Sequence, residues 1–283
     1  MKNRKVVYSS IGVGVILVII CGVIIWHISQ FNNTKVAFLD IGQGDAILIS
    51  RGSHQILIDG GPDGTTLMEQ LGTQMPFWDR NIEIVIATHP DGDHIDGLIS
   101  VFKSYSVDQF WHTNAGKDTS VYRALSHNAN NEEGVEDVIT YNGLQANIAQ
   151  GVHLDVIYPF DENQDNVKDV NNTSITTVLT VGTDTFYFGG DLTSEFEDTL
   201  PIENITVLKA GHHGSKSSTS KKFLEKINPS DVIISSGKDN HYGHPHKQVL
   251  QNIEEVGARI LRTDTSGSIV YRCDDKCKLL LQD

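Results

Sequence analysis

The sequence predicts an α/β protein, a four-layer αββα sandwich of two mixed sheets with helices outside, preceded by one N-terminal transmembrane helix. Three observations lead there. Short β-rich runs come in two groups, with helical patterns between the later ones. Aspartate or histidine stands at the end of one apolar run after another. An uncharged apolar stretch precedes all of them.

That opening stretch runs from Val6 to Trp26, behind Lys2, Arg4 and Lys5. Its 21 residues match the roughly 20 needed to cross a bilayer as a helix. The basic residues ahead of it put the N-terminus in the cytoplasm. No small-x-small cleavage site follows, so an uncleaved signal anchor is expected rather than a signal peptide. Ile19 and Ile20 before Cys21 exclude a lipoprotein site. Residues 1–30 are therefore read as cytoplasmic tip and anchor, and 31–283 as one extracellular domain on the cell membrane. A single anchor with an exported domain suits a Gram-positive bacterium.

The domain is acidic. The chain carries 22 basic and 36 acidic residues, a net charge of −14. Tight, non-specific nucleic-acid binding by the whole surface is thereby disfavoured, since that needs a basic one. Cys273 and Cys277 flank "DDK", which reads as a hairpin tip. An exported domain would favour a disulfide there over two free thiols. A zinc site is disfavoured because no second cysteine pair exists.

The strands are placed by apolar runs: "KVAFLDIG", "DAILIS", "QILIDGG" and "IEIVIATH", then "QFWHTN" and "VHLDVIYP", then "SITTVLTV", "DTFYFGGD", "ITVLKAG" and "DVIISSG". Helical spacing marks "IDGLISVFKSY", "KKFLEKI" and "HKQVLQNIEEVG". Residues 114–150 are polar and read as irregular or partly helical. The tail "RILRTDTSGSIVYRC" reads as strands again.

Chemistry-bearing residues sit where these runs end. Asp40 follows "VAFL", Asp59 follows "ILI", His89 follows "IVIAT" and Asp191 follows "FYFGG". His212 and His213 follow "VLKAG", and His241, His244 and His246 follow "DVIISSGKDN". In α/β folds, strand ends on one edge build the site. The turn "THPDGDHIDG" is the densest of these. Taken alone it leaves a solvated acidic loop as the alternative. With Asp191, His213 and the late histidines behind it, His89, Asp91, Asp93 and His94 read as ligands able to serve two metals about 3.5–4 Å apart.

These motifs resemble the metallo-β-lactamase superfamily. "THPDGDHIDG" is similar to its HxHxDH signature, in an HxDxDH variant. "FLDIGQGDAILI", "ILIDGG", "FGGDL", "LKAGHHGS" and "YGHPH" resemble, in this order, the metallo-β-lactamase domain of ComEC-type competence proteins, which act in DNA uptake. The resemblance runs from about Lys35 to Ile269. It implies a metallo-β-lactamase-fold hydrolase. His89, Asp91, Asp93 and His94 would form the metal turn, Asp191 would bridge two metals, and His213, or its neighbour His212, would be the next ligand. Asp93 would also act in catalysis. His244 and His246 match the late histidines that face the site, as ligands or as contacts to phosphate and leaving group. Asp40, Gln43 and Asp45 match the turn lining the pocket, and Asp59 would orient a ligand. Asn171, Asn172 and Ser174 match a polar element standing where other members carry a further histidine ligand. Only the hydrolytic module is matched, so transport of DNA is not implied.

The expected chemistry is phosphodiester hydrolysis by water activated between two divalent ions, with His244 or His246 protonating the leaving oxygen. The carboxylate of Asp91 makes the site harder, which favours Mn2+, although affinity order favours Zn2+. From Lys209 to Lys226, five lysines (Lys209, Lys216, Lys221, Lys222, Lys226) stand against Glu225 alone. That segment, Lys216 included, could meet a phosphate polymer, or it could be an ordinary solvated helix face. The leading expectation is a membrane-anchored nuclease or phosphodiesterase acting on single-stranded DNA or a similar substrate. The alternatives are a hydrolase of a cell-wall phosphoester, small ester or lactone, and a non-catalytic partner of DNA-uptake or cell-envelope proteins.

Overall fold

The computed structural model describes residues 33–162 and 167–280, together with Val18, Cys21 and Gly22, which are helical. The chain divides into two units, Met1–Asn33 and Thr34–Asp283. Apart from those three residues, the expected anchor lies outside the described residues. Among the described residues no helix is long and apolar enough to cross a membrane.

The second unit contains two sheets. One has the order β15-β14-β1-β2-β3-β4-β5-β6 and the other β13-β12-β11-β10-β9-β8-β7. In the first, β1 (Thr34–Phe38), β2 (Ile47–Arg51) and β3 (His54–Ile58) form an antiparallel meander. Then β4 (Asn81–Ala87), β5 (Ser106–His112) and β6 (Glu136–Ile139) add in parallel. In the second, β7 (Gln145–Ala149), β8 (Val152–Tyr158), β9 (Thr176–Val181) and β10 (Asp184–Phe188) are antiparallel. Parallel to β10 follow β11 (Val207–Lys209), β12 (Asp231–Ile234) and β13 (Arg259–Arg262).

Strand period explains the layering. Val36 and Phe38, Ile47 and Ile49, Ile56 and Ile58, and Ile84 and Ile86 face the second sheet, meeting Leu154, Phe186, Phe188 and Ile233. The alternate residues Ala37, Leu48, Leu57 and Val85 face outward. There they meet Leu67 and Leu71 of the helix Gly64–Gln74, Val101 and Phe102 of Leu98–Ser104, and Leu125 of Ser120–Asn131. The far face of the second sheet is covered likewise by Phe223 and Ile227 of Lys221–Ile227 and by Val249 and Ile253 of Lys247–Glu255. Both faces of each sheet are apolar because both are covered, which is the expected sandwich.

The stretch 114–150 is partly helical, as expected, in Ser120–Asn131, and it also contributes the strands β6 and β7, which the sequence did not suggest. Exposed polar side chains on these elements, Arg123, His127 and Asn130 on the helix and Glu136, Asp137, Gln145 and Asn147 on the strands, hid the pattern. The tail forms strands as expected and divides them between the two sheets. β13 ends the second sheet, but β14 (Ile269–Cys273) crosses to pair with β1, and β15 (Cys277–Leu280) pairs with β14. Cys273 and Cys277 lie opposite each other and are joined in a disulfide.

Candidate metal centre

The site is built at one edge, from the loops that follow β1, β3, β4, β10, β11 and β12. Close backbone packing locks these loops together. Asp45 N donates to Asp93 O at 3.3 Å, and Gly60 N to His94 O at 2.6 Å. A Cβ on Gly44 would stand 2.1 Å from the Asp93 carbonyl oxygen, and one on Gly97 would stand 1.9 Å from that of Gly60. The glycines of "GQGD" and "HIDG" are therefore needed for the close approach. Asp59, His212 and His213 adopt left-handed backbone at φ 58°, 48° and 55°. Such strain, of the order of 1 kcal/mol or more each, persists where the surroundings over-determine it and clusters at functional sites.

Asp191 is the hub. His94 Nε2 lies 3.3 Å from its Oδ1; from its Oδ2, His213 Nε2 lies 3.6 Å, His212 Nε2 3.6 Å and His89 Nε2 4.0 Å. Each ring is held from behind through Nδ1. Asp59 Oδ2 is 2.7 Å from His94, Asp45 Oδ1 3.3 Å from His213, Thr88 Oγ1 3.0 Å from His89, and Ser217 Oγ 3.1 Å from His212. Protein acceptors or hydroxyls on Nδ1 leave Nε2 of every ring pointing at the hub. Asp93 joins them, with Oδ2 3.4 Å from His213 Nε2. Ser174 Oγ accepts from Asp191 N at 3.1 Å, and Asn172 Oδ1 accepts from Thr193 Oγ1 at 2.7 Å, so the "NNxS" element holds the Asp191 loop.

Most of the centre is buried, and several of its polar atoms are unpartnered. His89 Nε2, His94 Nε2, His213 Nε2 and Asp191 Oδ1 are buried without a hydrogen-bond partner, and His213 Nδ1 and Asp45 Oδ1 have only their ion-pair contact with each other at 3.3 Å. Each such group costs on the order of 1–3 kcal/mol unless something satisfies it. Asp45, His94, Asp191 and His213 each offer a ligand atom, all within 4.8 Å of one another. The donor set and the orphaned atoms fit a divalent cation bound by nitrogen and carboxylate.

Charge follows the same geometry. Burial opposes a charged ring at His94, but Asp191 and Asp59 outweigh it and raise the ring well above its ordinary range. Burial likewise opposes charge on His213, yet Asp191 and Asp45 lift it to about 9. Against its own burial, Asp191 is held far down by His94 and His213. His89 is pushed down to about 4 by burial and by His94.

Several expected site residues stand elsewhere. Asp91 is not brought to the hub: its carboxylate pairs with Lys117 Nζ at 2.6 Å. His246 is exposed and caps the helix Lys247–Glu255, its Nδ1 accepting from Gln248 N at 3.2 Å. His244 is closer, its ring 5.7 Å from that of His212, with Nδ1 buried and unpartnered; burial and the charges of His213 and His212 hold it down to about 4. Asp40 Oδ1 accepts from Gly42 N at 3.4 Å and Gln43 Oε1 from Gly237 N at 3.1 Å, which shapes the pocket turn.

The basic segment does not form a surface patch. Lys209 is fully buried and ion-paired with Asp45. Lys221 pairs with Glu255 at 2.6 Å, Lys222 with Asp198 at 3.3 Å, and Lys226 donates to Leu200 O. Distant acidic residues thus neutralise what looked like a local excess, and Lys216 alone of the five stands exposed on the loop without such a pairing among those described. Sequence reasoning missed Thr88, Ser217, Lys117 and the ion pair of Lys209. It also placed Asp45 as pocket lining, whereas the carboxylate backs His213. Lys117 and Lys209 are defined by partners 26 and 164 residues away, whereas Thr88 and Ser217 lie one and five residues from the rings they meet, with no motif to mark them.

Beside His89 and Pro90, a cavity of about 190 Å3 lies between β5 and the helix Ser120–Asn131, lined by Phe110, His112, Tyr122 and Ser126 among others.

The chain belongs to the metallo-beta-lactamase superfamily, whose profile matches residues 39–238. It is 34% identical over 266 residues to "ComE operon protein 3" of Bacillus subtilis, covering 84% of this chain and 33% of that one. It is 26% identical to "Recombination protein 2" of Haemophilus influenzae (95% and 32% covered) and 27% identical to "Competence protein ComA" of Neisseria gonorrhoeae (85% and 32% covered). The chain thus spans about a third of the length of these relatives. Among solved structures, the fold is shared with the metallo-beta-lactamase fold protein YhfI of Bacillus subtilis, at TM-score 0.56 and 12% identity, covering 85% of this chain and all of that one. It is shared also with a diphosphatase of the PhnP family, at TM-score 0.51 and 14% identity, covering 85% of this chain and 98% of that one.

Proposed function

We propose that the protein is a metal-dependent phosphodiesterase, anchored to the cell membrane by residues 6–26 with its domain outside, and that it cleaves single-stranded DNA or a similar phosphate polymer. The observation that carries the metal reading is the convergence of four imidazole Nε2 atoms on Asp191 with their Nδ1 atoms held from behind. His89, His94, Asp93, His212 and His213 would hold two divalent ions, Mn2+ or Zn2+, with Asp191 between them. Bound there, the ions would lower the pKa of water and offset charge on a phosphoryl group. The chain's own residues do the rest. Asp59, Asp45, Thr88 and Ser217 fix the tautomers of the four rings. His244, whose ring adjoins those of His212 and His213, is neutral near pH 7. It can contact a phosphate oxygen by hydrogen bond. His246 would have to leave its helix cap to serve as proton donor, so His244 is preferred. Asp91 tunes the site through Lys117 rather than as a ligand. The names of the DNA-uptake relatives support the nucleic-acid substrate, and Lys216, three residues after His213 in the chain, is exposed. A role with DNA-uptake or envelope proteins follows from the same names and remains secondary to the hydrolytic reading.

The test uses the full chain in detergent. Metal content is measured, then single-stranded DNA, double-stranded DNA and a bis-aryl phosphate are offered with Mn2+ or Zn2+. Two ions per chain and cleavage of single-stranded DNA, lost in Asp93→Ala and His213→Ala, are expected. Cleavage of the bis-aryl phosphate with all DNA intact would move the substrate to another phosphoester. A chain that binds no metal would end the enzyme reading.

A further inference from the structure

The end of the first sheet remote from the metal centre carries a feature the hydrolytic reading does not use. Across three neighbouring strands, Lys278 stands opposite Arg272, and Arg272 opposite Lys35. Like charges directly opposite each other on a sheet repel. Burial and then the Arg272 charge hold the Lys35 ammonium down to about 8. A row of three cations runs against the average of a chain with net charge −14.

The row continues in register through Ser50 and Gln55, and both ends of one loop are tied to it. Lys35 Nζ donates to Gln74 O, and Gln55 Nε2 donates to Asp79 Oδ2 at 3.0 Å. Between these ties Phe77 and Trp78 are held outward, 82% and 67% exposed, their rings edge to face at 4.8 Å. Arg80 follows, exposed, and Lys276 stands with Asp274 and Asp275 at the β14–β15 tip. Fixed, exposed aromatics beside Lys and Arg are the composition of a membrane-interface belt.

The course of the chain points to the same occupant. Residues 1–33 join this unit at Thr34, beside Lys35. Trp26, the last residue of the apolar run, precedes Thr34 by eight positions, which extended chain spans in at most about 29 Å. The metal centre lies past the other ends of these strands, about 20 Å away along β4.

We propose that this face, with Phe77 and Trp78 at its edge and the exposed Arg272 and Lys278 beside the part-buried Lys35, docks on the anionic phospholipid headgroups of the membrane. The inference rests on the anchored reading above. It leaves the metal centre at the end of the strands that does not meet lipid.

The test uses the full chain carrying Trp26→Phe, in vesicles of phosphatidylcholine with brominated acyl chains, with and without phosphatidylglycerol. The remaining tryptophans are Trp78 and Trp111, and Trp111 is only 3% exposed. Emission should be quenched severalfold more with phosphatidylglycerol present. The quenching should vanish on adding Trp78→Phe and fall in Lys35→Gln/Arg272→Gln/Lys278→Gln. Vesicles that carry the protein on flotation while its emission is untouched by bromine would overturn the docking face and leave the anchor standing. Equal quenching with and without phosphatidylglycerol would overturn the role of the cations. Protein that does not float with vesicles would overturn the anchor, and the docking face with it.

Discussion

His94 is clamped between two carboxylates: its Nδ1 lies 2.7 Å from Asp59 Oδ2 and its Nε2 3.3 Å from Asp191 Oδ1. Asp59 also accepts from Thr88 N at 2.8 Å and Thr88 Oγ1 at 2.7 Å, so it cannot swing away. Thr88 in turn reaches His89. A single buried carboxylate therefore orients two imidazoles. Partners of this kind typically carry a 10–100-fold effect on metal affinity. Asp59→Asn should weaken metal binding by about that factor while the fold persists, as read by chelator competition alongside circular dichroism.

Asp191 offers both oxygens to the cluster, and among the described residues no other is paired with all four rings. Asp191→Asn keeps the shape and removes the charge. It should lose at least one of two bound ions, by elemental analysis, and cut hydrolysis by roughly 10³-fold, the scale of losing a central electrostatic contact. Two retained ions would show that Asp191 is not the bridge.

Lys209 is buried against Asp45, with Gly190 O at 3.5 Å as its further contact. Removing one partner of a buried pair leaves an uncompensated charge and costs about 3–5 kcal/mol. Lys209→Met should lower the urea midpoint accordingly, and Lys209→Met/Asp45→Asn should regain part of the loss. An exposed lysine would show neither effect. Equal stability of wild type and single variant would rule out this pairing.

Glu197 lies buried below the "GHHGS" loop, its Oε2 accepting from Thr219 N at 2.5 Å. Burial pushes its carboxyl up to about 8 from 4.5. A raised carboxyl pKa favours the protonated folded state, so its contribution is complete below pH 4.5 and is lost as pH rises to about 8. Across that window stability should fall by the order of a few kcal/mol. Glu197→Gln should flatten that loss in thermal melts from pH 5 to 8.5. A wild-type profile flat over this range would mean Glu197 is ionised in the fold.

Sequence by itself determined the architecture of the domain and the position of its centre. Continuous apolar runs, such as Val36 to Phe38 and Ile84 to Ile86, dictate strands covered on both faces. The Asp and His residues that end these runs must share one edge, because parallel strands align their ends. Motif order was enough to place His89, His94, Asp191 and His213 together. Tertiary structure decided which way each side chain turns. Asp91 and Asp93 are two residues apart, yet Asp91 faces Lys117 and Asp93 faces His213. Lys209 belongs to a basic stretch in the chain but is neutralised by Asp45, 164 residues away. A local pattern records which residues are polar and where strands end. It does not record the distant partner, and in a buried site the partner sets the orientation, the proton and the charge.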